Sequence, residues 1–312
     1  MNKTHDVVII GAGPSGLAAA IYTGRARLAT LVLERATPGG QILLTDVIEN
    51  YPGFPEGVSP FQLMENVRKQ AERFGAQMVM DEVQEIHKEG AHWQIRGNRG
   101  EYKAKAVLVA TGSDHRKLGI KGEERLIGRG VSYCATCDGA FFQNKVVAVV
   151  GGGDWALTEA LFLTRFCREV KIVHRRDQLR AEKILQERAF ENPKIDVLWD
   201  TVVEKINGEA NLKSVTIQNV KDKTDSELEI DGLFISIGTV PNNKLVKKLV
   251  ELNEWGEVKV EKDMATKQPG LYASGDVTDA CPEQMATAVG TGVAAALAIT
   301  EYLDGIKFSQ RT

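Results

Sequence analysis

Residues 131–142 read VSYCATCDGAFF, which sets Cys134 and Cys137 two residues apart with Asp138 directly after the second. Three chemistries use that spacing: a structural disulfide, half of a metal site, or a working dithiol–disulfide centre. The chain has four cysteines in all, the others being Cys167 and Cys281. The elements around the pair have to decide between the three.

Bulk composition excludes several classes of function. Hydrophobic residues make up 43% and charged residues 26% of 312 positions, and Lys+Arg (39) nearly cancel Asp+Glu (42) to leave a formal charge of −3. A balance of that kind offers no polyanion-binding surface, so no nucleic-acid partner is expected. The start, MNKTHDVVIIGAG, enters an apolar strand-like run at once and lacks the layout of a signal peptide. The stretch MATAVGTGVAAALAITEYL (285–303) is rich in alanine, glycine and threonine, and reads as a buried helix instead of a membrane span. A cytoplasmic location follows, where a CxxC is more often catalytic or metal-binding than structural.

The chain repeats itself. VVIIGAGPSGLAAA (7–20) matches VAVVGGGDWALTEA (147–160) at an offset of 140 residues, so that Gly11, Gly13 and Gly16 align with Gly151, Gly153 and Ala156. The same offset aligns LVLER (31–35) with KIVHR (171–175). Each copy is a strand, a glycine turn, a helix and a second strand, which is a dinucleotide-binding βαβ unit. The first glycine allows the tight turn, the second lets a pyrophosphate approach the backbone, and the third small residue lets helix and strand pack closely. The helix start then presents free N–H groups and a positive dipole end to phosphate, with Pro14 and Ser15 in the first copy and Asp154 and Trp155 in the second.

The second strands end differently, and this separates the ligands. Glu34 stands 23 residues after Gly11, where a carboxylate accepts hydrogen bonds from both ribose hydroxyls, which suits an unphosphorylated adenosine such as that of FAD. The matching position is His174, within VHRRDQLRA, which adds Arg175, Arg176 and Arg180. Clustered guanidiniums pair with a 2′-phosphate that a carboxylate would repel, so this site suits NADPH better than NADH.

The rest supplies an architecture. PFQLMENVRKQAERFG (60–75) spaces Phe61, Met64, Val67, Ala71 and Phe74 as a helix face. MVMDEVQEI, HWQIRG and EYKAKAVLVATG read as strands, and GLFISIGTVPN (232–242) closes the second unit. GLYASGDVTD (270–279) then starts a strand, turn and long helix that cannot belong to a unit already complete. The fold class is therefore α/β with two Rossmann-like dinucleotide-binding domains. A discontinuous FAD domain (1–115 and 243–312) receives an inserted NADPH domain (116–242), and the two connections between them form a hinge.

These motifs together resemble the low-molecular-weight thioredoxin reductase family over nearly the whole chain. The resemblance rests on GAGPSG, GGQ (39–41), ENYPGF (49–54), ATGS (110–113), CATCDG (134–139), GGGDWA, HRRDQLR and ASGDV (273–277), in that order. It implies tightly bound FAD, NADPH as reductant, a thioredoxin or thioredoxin-like protein as partner, a homodimer, and rotation of the inserted domain during turnover. By the matching motifs it also implies FAD contacts at Gly40, Gln41, Asn50, Thr111, Gly112, Gly275, Asp276 and Gln284.

With this setting the cysteine pair can be assigned. Zinc needs about four ligands, usually from two paired motifs, and Cys167 and Cys281 are single and distant. No metal is expected, and those two cysteines are read as packing residues. A structural disulfide would close too short a loop to stabilise much. A redox pair at a helix start, near a flavin, has its prerequisites. By resemblance, Cys137 faces the flavin, Cys134 attacks the partner's disulfide, and Asp138 is the acid that protonates the leaving thiolate; Asp138 is also placed to cap the helix.

Several positions depart from the family pattern. Trp155 replaces a usual Ser or Thr at the pyrophosphate turn, Thr158 a glutamate (although Glu159 remains), Glu283 an arginine and Lys121 a proline. Trp155 leaves open a related reductase fed by NADH or reduced ferredoxin, although the arginine cluster favours NADPH. A non-enzymatic flavin redox sensor is the remaining alternative, and no appended module supports it.

Overall fold

A computed structural model describes residues 4–44, 47–280 and 282–309. The chain divides into two compact units. One is made of Met1–Leu43, Val47–Asp114 and Val240–Thr312, and the other of His115–Thr239 with Leu44–Asp46. Strands and helices are numbered along the whole chain.

The first unit is built on β1 (Thr4–Ile10), whose residues Val7, Val8 and Ile9 have no exposed surface. Strands buried on both faces take continuous apolar runs. β1 lies parallel between β2 (Thr30–Glu34) and β6 (Glu101–Val109), and β3 (Gln77–Met80) extends the sheet beyond β2. β4 (Val83–Glu89) and β5 (His92–Gly97) form an antiparallel ribbon on the other side. The nine-residue β6 serves two neighbours. Its first half pairs with β5, and its end, Val107–Val109, pairs in parallel with β17 (Leu271–Ala273). The last segment of the chain thereby completes the sheet begun by the first.

Helix α1 (Pro14–Arg25) starts with proline at its first position, where the missing N–H costs nothing, and α2 (Pro60–Arg73) does the same. Phe61 on α2 remains 63% exposed, so the apolar face read from sequence is narrower than its spacing implied. The long α7 (Met285–Ser309) contains, over Met285–Ile306, a stretch with the length and composition of a membrane span. Its small residues pack on α1 instead: Gly292 lies so near the Ser15 carbonyl that an added Cβ would be 2.2 Å away. Ala295, Ala296, Ile299 and Leu303 join the same core as Leu17 and Ala20.

In the second unit all five strands of the main sheet are parallel, in the order β11 (Ile195–Leu198), β10 (Glu169–Val173), β9 (Val146–Gly151), β15 (Gly232–Ser236) and β8 (Val131–Ser132). Helices α5 (Asp154–Leu163) and α6 (Lys183–Glu191) belong to this sheet, and α3 (Glu123–Leu126) and α4 (Ala135–Asp138) are single turns. A separate antiparallel sheet holds β12 (Thr201–Asn207), β13 (Ser214–Asn219) and β14 (Asp225–Glu229). The chain runs between the units along β7 (Ser113–His115) and β16 (Thr239–Pro241), which pair with each other.

Candidate active site

The two glycine turns are built alike. Gly11 has φ +107° and Gly151 φ +153°, both in a region that L side chains avoid. A Cβ on Gly11 would stand 2.2 Å from the Ala110 carbonyl, and one on Gly151 would stand 2.2 Å from the Ser236 carbonyl. In each unit the first glycine therefore admits the end of the next strand over the turn. The second glycine is different. A Cβ on Gly153 would meet nothing within 4 Å, and one on Gly13 only the Cα of Gly40 at 3.9 Å. That open space over a helix start is what a pyrophosphate requires. Gly16 packs on the Gly11 carbonyl, and Ala156 faces Gly151 in the same way.

Around the first turn the structure gathers several residues singled out by sequence. Glu34 accepts the Ala12 N–H at 2.6 Å and the Ala36 N–H at 2.9 Å. Gly39 donates its N–H to the Ala12 carbonyl, and Gly40, with φ +71°, packs on Gly13 and Pro14. Buried Ser15 shares a 2.6 Å hydrogen bond with Ser274, which ties the GAGPSG turn to the ASGDV segment, and Gly275 packs on the Ser15 side chain. Gln41 donates to the Ser113 carbonyl, Thr111 to the Asn242 carbonyl, and Gly112 takes φ +65°. Asn50 donates to Gln284 at 3.2 Å. Burial first, and the nearby Glu283 carboxylate second, push the Asp276 pKa up to about 6.

Around the second turn one expectation needs correction. His174 does not face out as part of a basic cluster. It is buried, its Nε2 lies 2.9 Å from the Gln178 carbonyl, and its ring packs so tightly on Gly152 that an added Cβ would be 2.3 Å away. The position after β10 is a packing site because Gly152 leaves room there. Arg175, Arg176 and Arg180 are exposed, and among the described residues no carboxylate pairs with them. Asp154 accepts the Glu182 N–H at 2.7 Å, which anchors the arginine-bearing loop to the start of α5. The Trp155 indole lies 5.9 Å from the His115 ring, which in turn stacks at 6.1 Å on Tyr133. Its N–H is buried and has no hydrogen-bond partner among the described residues.

Cys134 and Cys137 form a disulfide. Cys134 sits at the start of α4 and is nine-tenths buried, whereas Cys137 is exposed. The helix expected here is a single turn, followed by a 3-10 turn over Gly139–Phe142, so its dipole is small. A direct contact does the work: the Cys137 N–H points at the Cys134 sulfur at 3.1 Å. A donor so placed favours a thiolate at Cys134 once the bond is reduced. Asp138 makes no capping hydrogen bond, so the capping role is not found. Cys167 is a buried free thiol whose pKa is raised by burial to about 11, consistent with packing; Cys281 lies outside the described residues.

Two acids to which the sequence assigned no role organise this turn. Glu159 on α5 accepts the Ala135 N–H at 2.7 Å and the Ser236 hydroxyl. Glu123 accepts the Leu118 and Gly119 N–H groups and the Tyr133 hydroxyl. Glu159 carried a usable signal, because Ala156, Ala160 and Leu163 mark the buried face of α5 and a charge at 159 falls on it. Among the described residues no group of side chains could hold a metal ion.

The profile of a family described as pyridine nucleotide-disulphide oxidoreductase matches residues 5–292. A thioredoxin reductase of Bacillus subtilis is 43% identical over 311 residues, covering 99% of this chain and 98% of the relative. One from Streptomyces coelicolor is 46% identical over 306 residues, covering 97% of this chain and 95% of the relative. The crystal structure of Lactococcus lactis thioredoxin reductase superimposes with a TM-score of 0.94 at 43% identity, covering 96% of this chain and 99% of that one.

Proposed function

The chain belongs to the pyridine nucleotide-disulphide oxidoreductase family, and we propose that within it the chain works as a thioredoxin reductase. FAD and NADPH are its cofactors. The observation that carries this reading is the Cys134–Cys137 disulfide in a unit that also holds a dinucleotide turn, with a second such turn in the other unit. When bound beside the first glycine turn, FAD would supply the two-electron redox chemistry that links NADPH to the disulfide.

The residues present fit both groups. Gly11, Gly13, Pro14, Ser15 and Gly16 form the open turn for the FAD pyrophosphate, and Glu34 is placed for the ribose hydroxyls. Gly40, Gln41, Asn50, Thr111, Gly112, Gly275, Asp276 and Gln284 surround the remainder. Gly151, Gly153, Asp154, Trp155 and Ala156 form the second cradle, where Arg175, Arg176 and Arg180 bind the 2′-phosphate and His174 holds their loop from beneath. The domain assignment is FAD for the discontinuous unit and NADPH for the inserted one.

Cys134 acts as the attacking thiolate, held ready by the Cys137 N–H. It forms a mixed disulfide with the partner protein, and Cys137 resolves it while Asp138 supplies the proton to the departing thiolate. The partner is a thioredoxin or a thioredoxin-like protein. The reading includes a homodimer in the cytoplasm and motion about the paired connections β7 and β16.

Anaerobic titration of the oxidised holoprotein with NADPH, and separately with NADH, tests the donor. Near-stoichiometric bleaching of the flavin by NADPH, with NADH far slower, is the expected result. Bleaching only by dithionite or reduced ferredoxin would assign the electrons to another source. Turnover with a thioredoxin disulfide then tests the acceptor.

A further inference from the structure

Glu159 is a buried carboxyl that the proposed reaction does not use. Its side chain leaves α5 and reaches two other elements: the N–H of Ala135, which lies between the two cysteines in sequence, and the hydroxyl of Ser236 at the end of β15. Only 5% of the residue is exposed. Ser236 is also the residue whose carbonyl covers Gly151, so the same end of β15 touches the second glycine turn. The backbone of the CATC turn is held at three places, the N–H groups of residues 134, 135 and 137. Ser132 accepts the Cys134 N–H at 3.0 Å, Glu159 accepts the Ala135 N–H at 2.7 Å, and the Cys134 sulfur faces the Cys137 N–H at 3.1 Å.

A structural role alone would be met by a neutral acceptor. Asparagine, glutamine or a backbone carbonyl can receive an N–H without the cost of burying a charge. A carboxyl in this place adds a group that can be charged or neutral, hydrogen-bonded to the residue that follows Cys134. A negative charge there opposes formation of a second negative charge on the thiolate, and a proton on Glu159 removes that opposition.

We propose that Glu159 is a positioning residue for the redox centre, holding the CATC turn through Ala135 and setting the balance between thiol and thiolate in the reduced Cys134–Cys137 pair. The inference rests on the reading of that pair as a working redox centre. Reduction of the disulfide by two electrons leaves two sulfurs that together take up one or two protons, and Glu159 shifts that count without exchanging electrons itself.

The electrostatic setting is consistent. Burial pushes the Glu159 pKa up to about 7, against the two hydrogen bonds that lower it. The other ionisable groups on α5's first turn and on the elements packed against it are Asp154 on α5, Asp138 on α4 with Tyr133 before Cys134, the Glu169–Lys171 pair on β10, and the charged side chains of α6 at 183, 187, 188 and 191. β9 and β15 contribute none. Neutral partners and burial account for the titration of Glu159, with no charged group among its causes.

The test measures the reaction of the dithiol-reduced, full-length flavoprotein with iodoacetamide across pH, assigned to Cys134 by peptide mass spectrometry. Neither thioredoxin nor nucleotide is added, so failure here is distinct from failure of the reductase reading. In the unsubstituted protein the rate is expected to rise over a broad span, because thiol and carboxyl titrate together. Glu159→Gln keeps an acceptor for Ala135 and removes the charge. It should give a single-site profile with its midpoint moved down by on the order of one pH unit. Ser236→Ala keeps the Ala135 contact, deprives the carboxylate of a donor, and should move the midpoint in the same direction by less. If Glu159→Gln loses its flavin, Ser236→Ala decides alone. Profiles of these variants that superimpose on that of the unsubstituted protein would overturn the proposal.

Discussion

Ala12 donates its backbone N–H to the Glu34 carboxylate at 2.6 Å, joining the first glycine turn to the end of the second strand. One repeat later the same two positions are Gly152 and His174, and the contact changes from a hydrogen bond to close packing. The substitution of alanine by glycine is linked to the substitution of glutamate by histidine, because an imidazole fits against the turn only where no Cβ intervenes. In the first unit the carboxylate stays partly open beside the turn, while in the second the ring is sealed and the arginines that follow it are exposed. One backbone plan thus carries two differently furnished turns.

Gly152→Ala should displace His174 from beneath the arginine loop. Overpacking of this kind costs about 1–3 kcal/mol. The holoprotein should melt at a lower temperature, and KM for NADPH should rise several-fold with flavin content unchanged. Steady-state kinetics alongside a thermal melt would check both, and an unchanged KM would mean the loop does not depend on His174.

Removing the guanidiniums should erase the preference between donors. Hydrogen bonds to charged groups contribute roughly 1.5–3 kcal/mol each, so Arg175→Ala or Arg176→Ala should each cost about 10- to 100-fold in kcat/KM for NADPH. Values for NADH should hardly move. Equal losses for both nucleotides would place these arginines away from the 2′-phosphate. The triple change with Arg180→Ala should leave the two donors nearly equivalent.

The two cysteines should separate in function. Cys137→Ser leaves an attacking thiol at Cys134 that cannot be released, so a mixed disulfide with thioredoxin should accumulate and be visible by mass spectrometry. Cys134→Ser should form none. Both should lose at least about three orders of magnitude in thioredoxin reduction, as expected where residues act as a unit. Bleaching of their flavin by NADPH should persist, since the nucleotide and flavin sites are intact.

Much of this organisation is legible in the sequence because backbone geometry restricts residue type. The strained turns at Gly11 and Gly151 admit only glycine, and apolar runs such as VVAVVG can only be buried strands. The return of the chain through β17 was readable because GLYASGDVTD begins a strand after the second unit has closed. What sequence did not convey is where polar side chains point. His174 looked like part of a basic cluster, yet its burial depends on the absence of a side chain at Gly152, 22 positions earlier. The sequence placed a helix start at Cys134 without its length; Gly139 and the 3-10 turn that follows end it after one turn. Glu159 and Glu123 have partners set by tertiary contacts with Ala135, Ser236 and Tyr133, which no local motif encodes.

The buried Glu159 should also leave a mark on stability. Its native pKa is raised from 4.5 to about 7, chiefly by burial. The native state therefore keeps a proton that the unfolded chain has already released, and stability falls as pH rises through this window. The contribution is fully present below about pH 4.5, is lost progressively up to about pH 7, and changes no further above that. Glu159→Gln carries no such proton and should lack this slope. The melting temperature of the variant holoprotein, minus that of the unsubstituted one, should be larger at about pH 8 than at about pH 5. A difference independent of pH would mean that Glu159 titrates near the ordinary glutamate value. A larger difference at high pH would show that the protein retains, beside its redox turn, a carboxyl that lowers its stability at neutral pH.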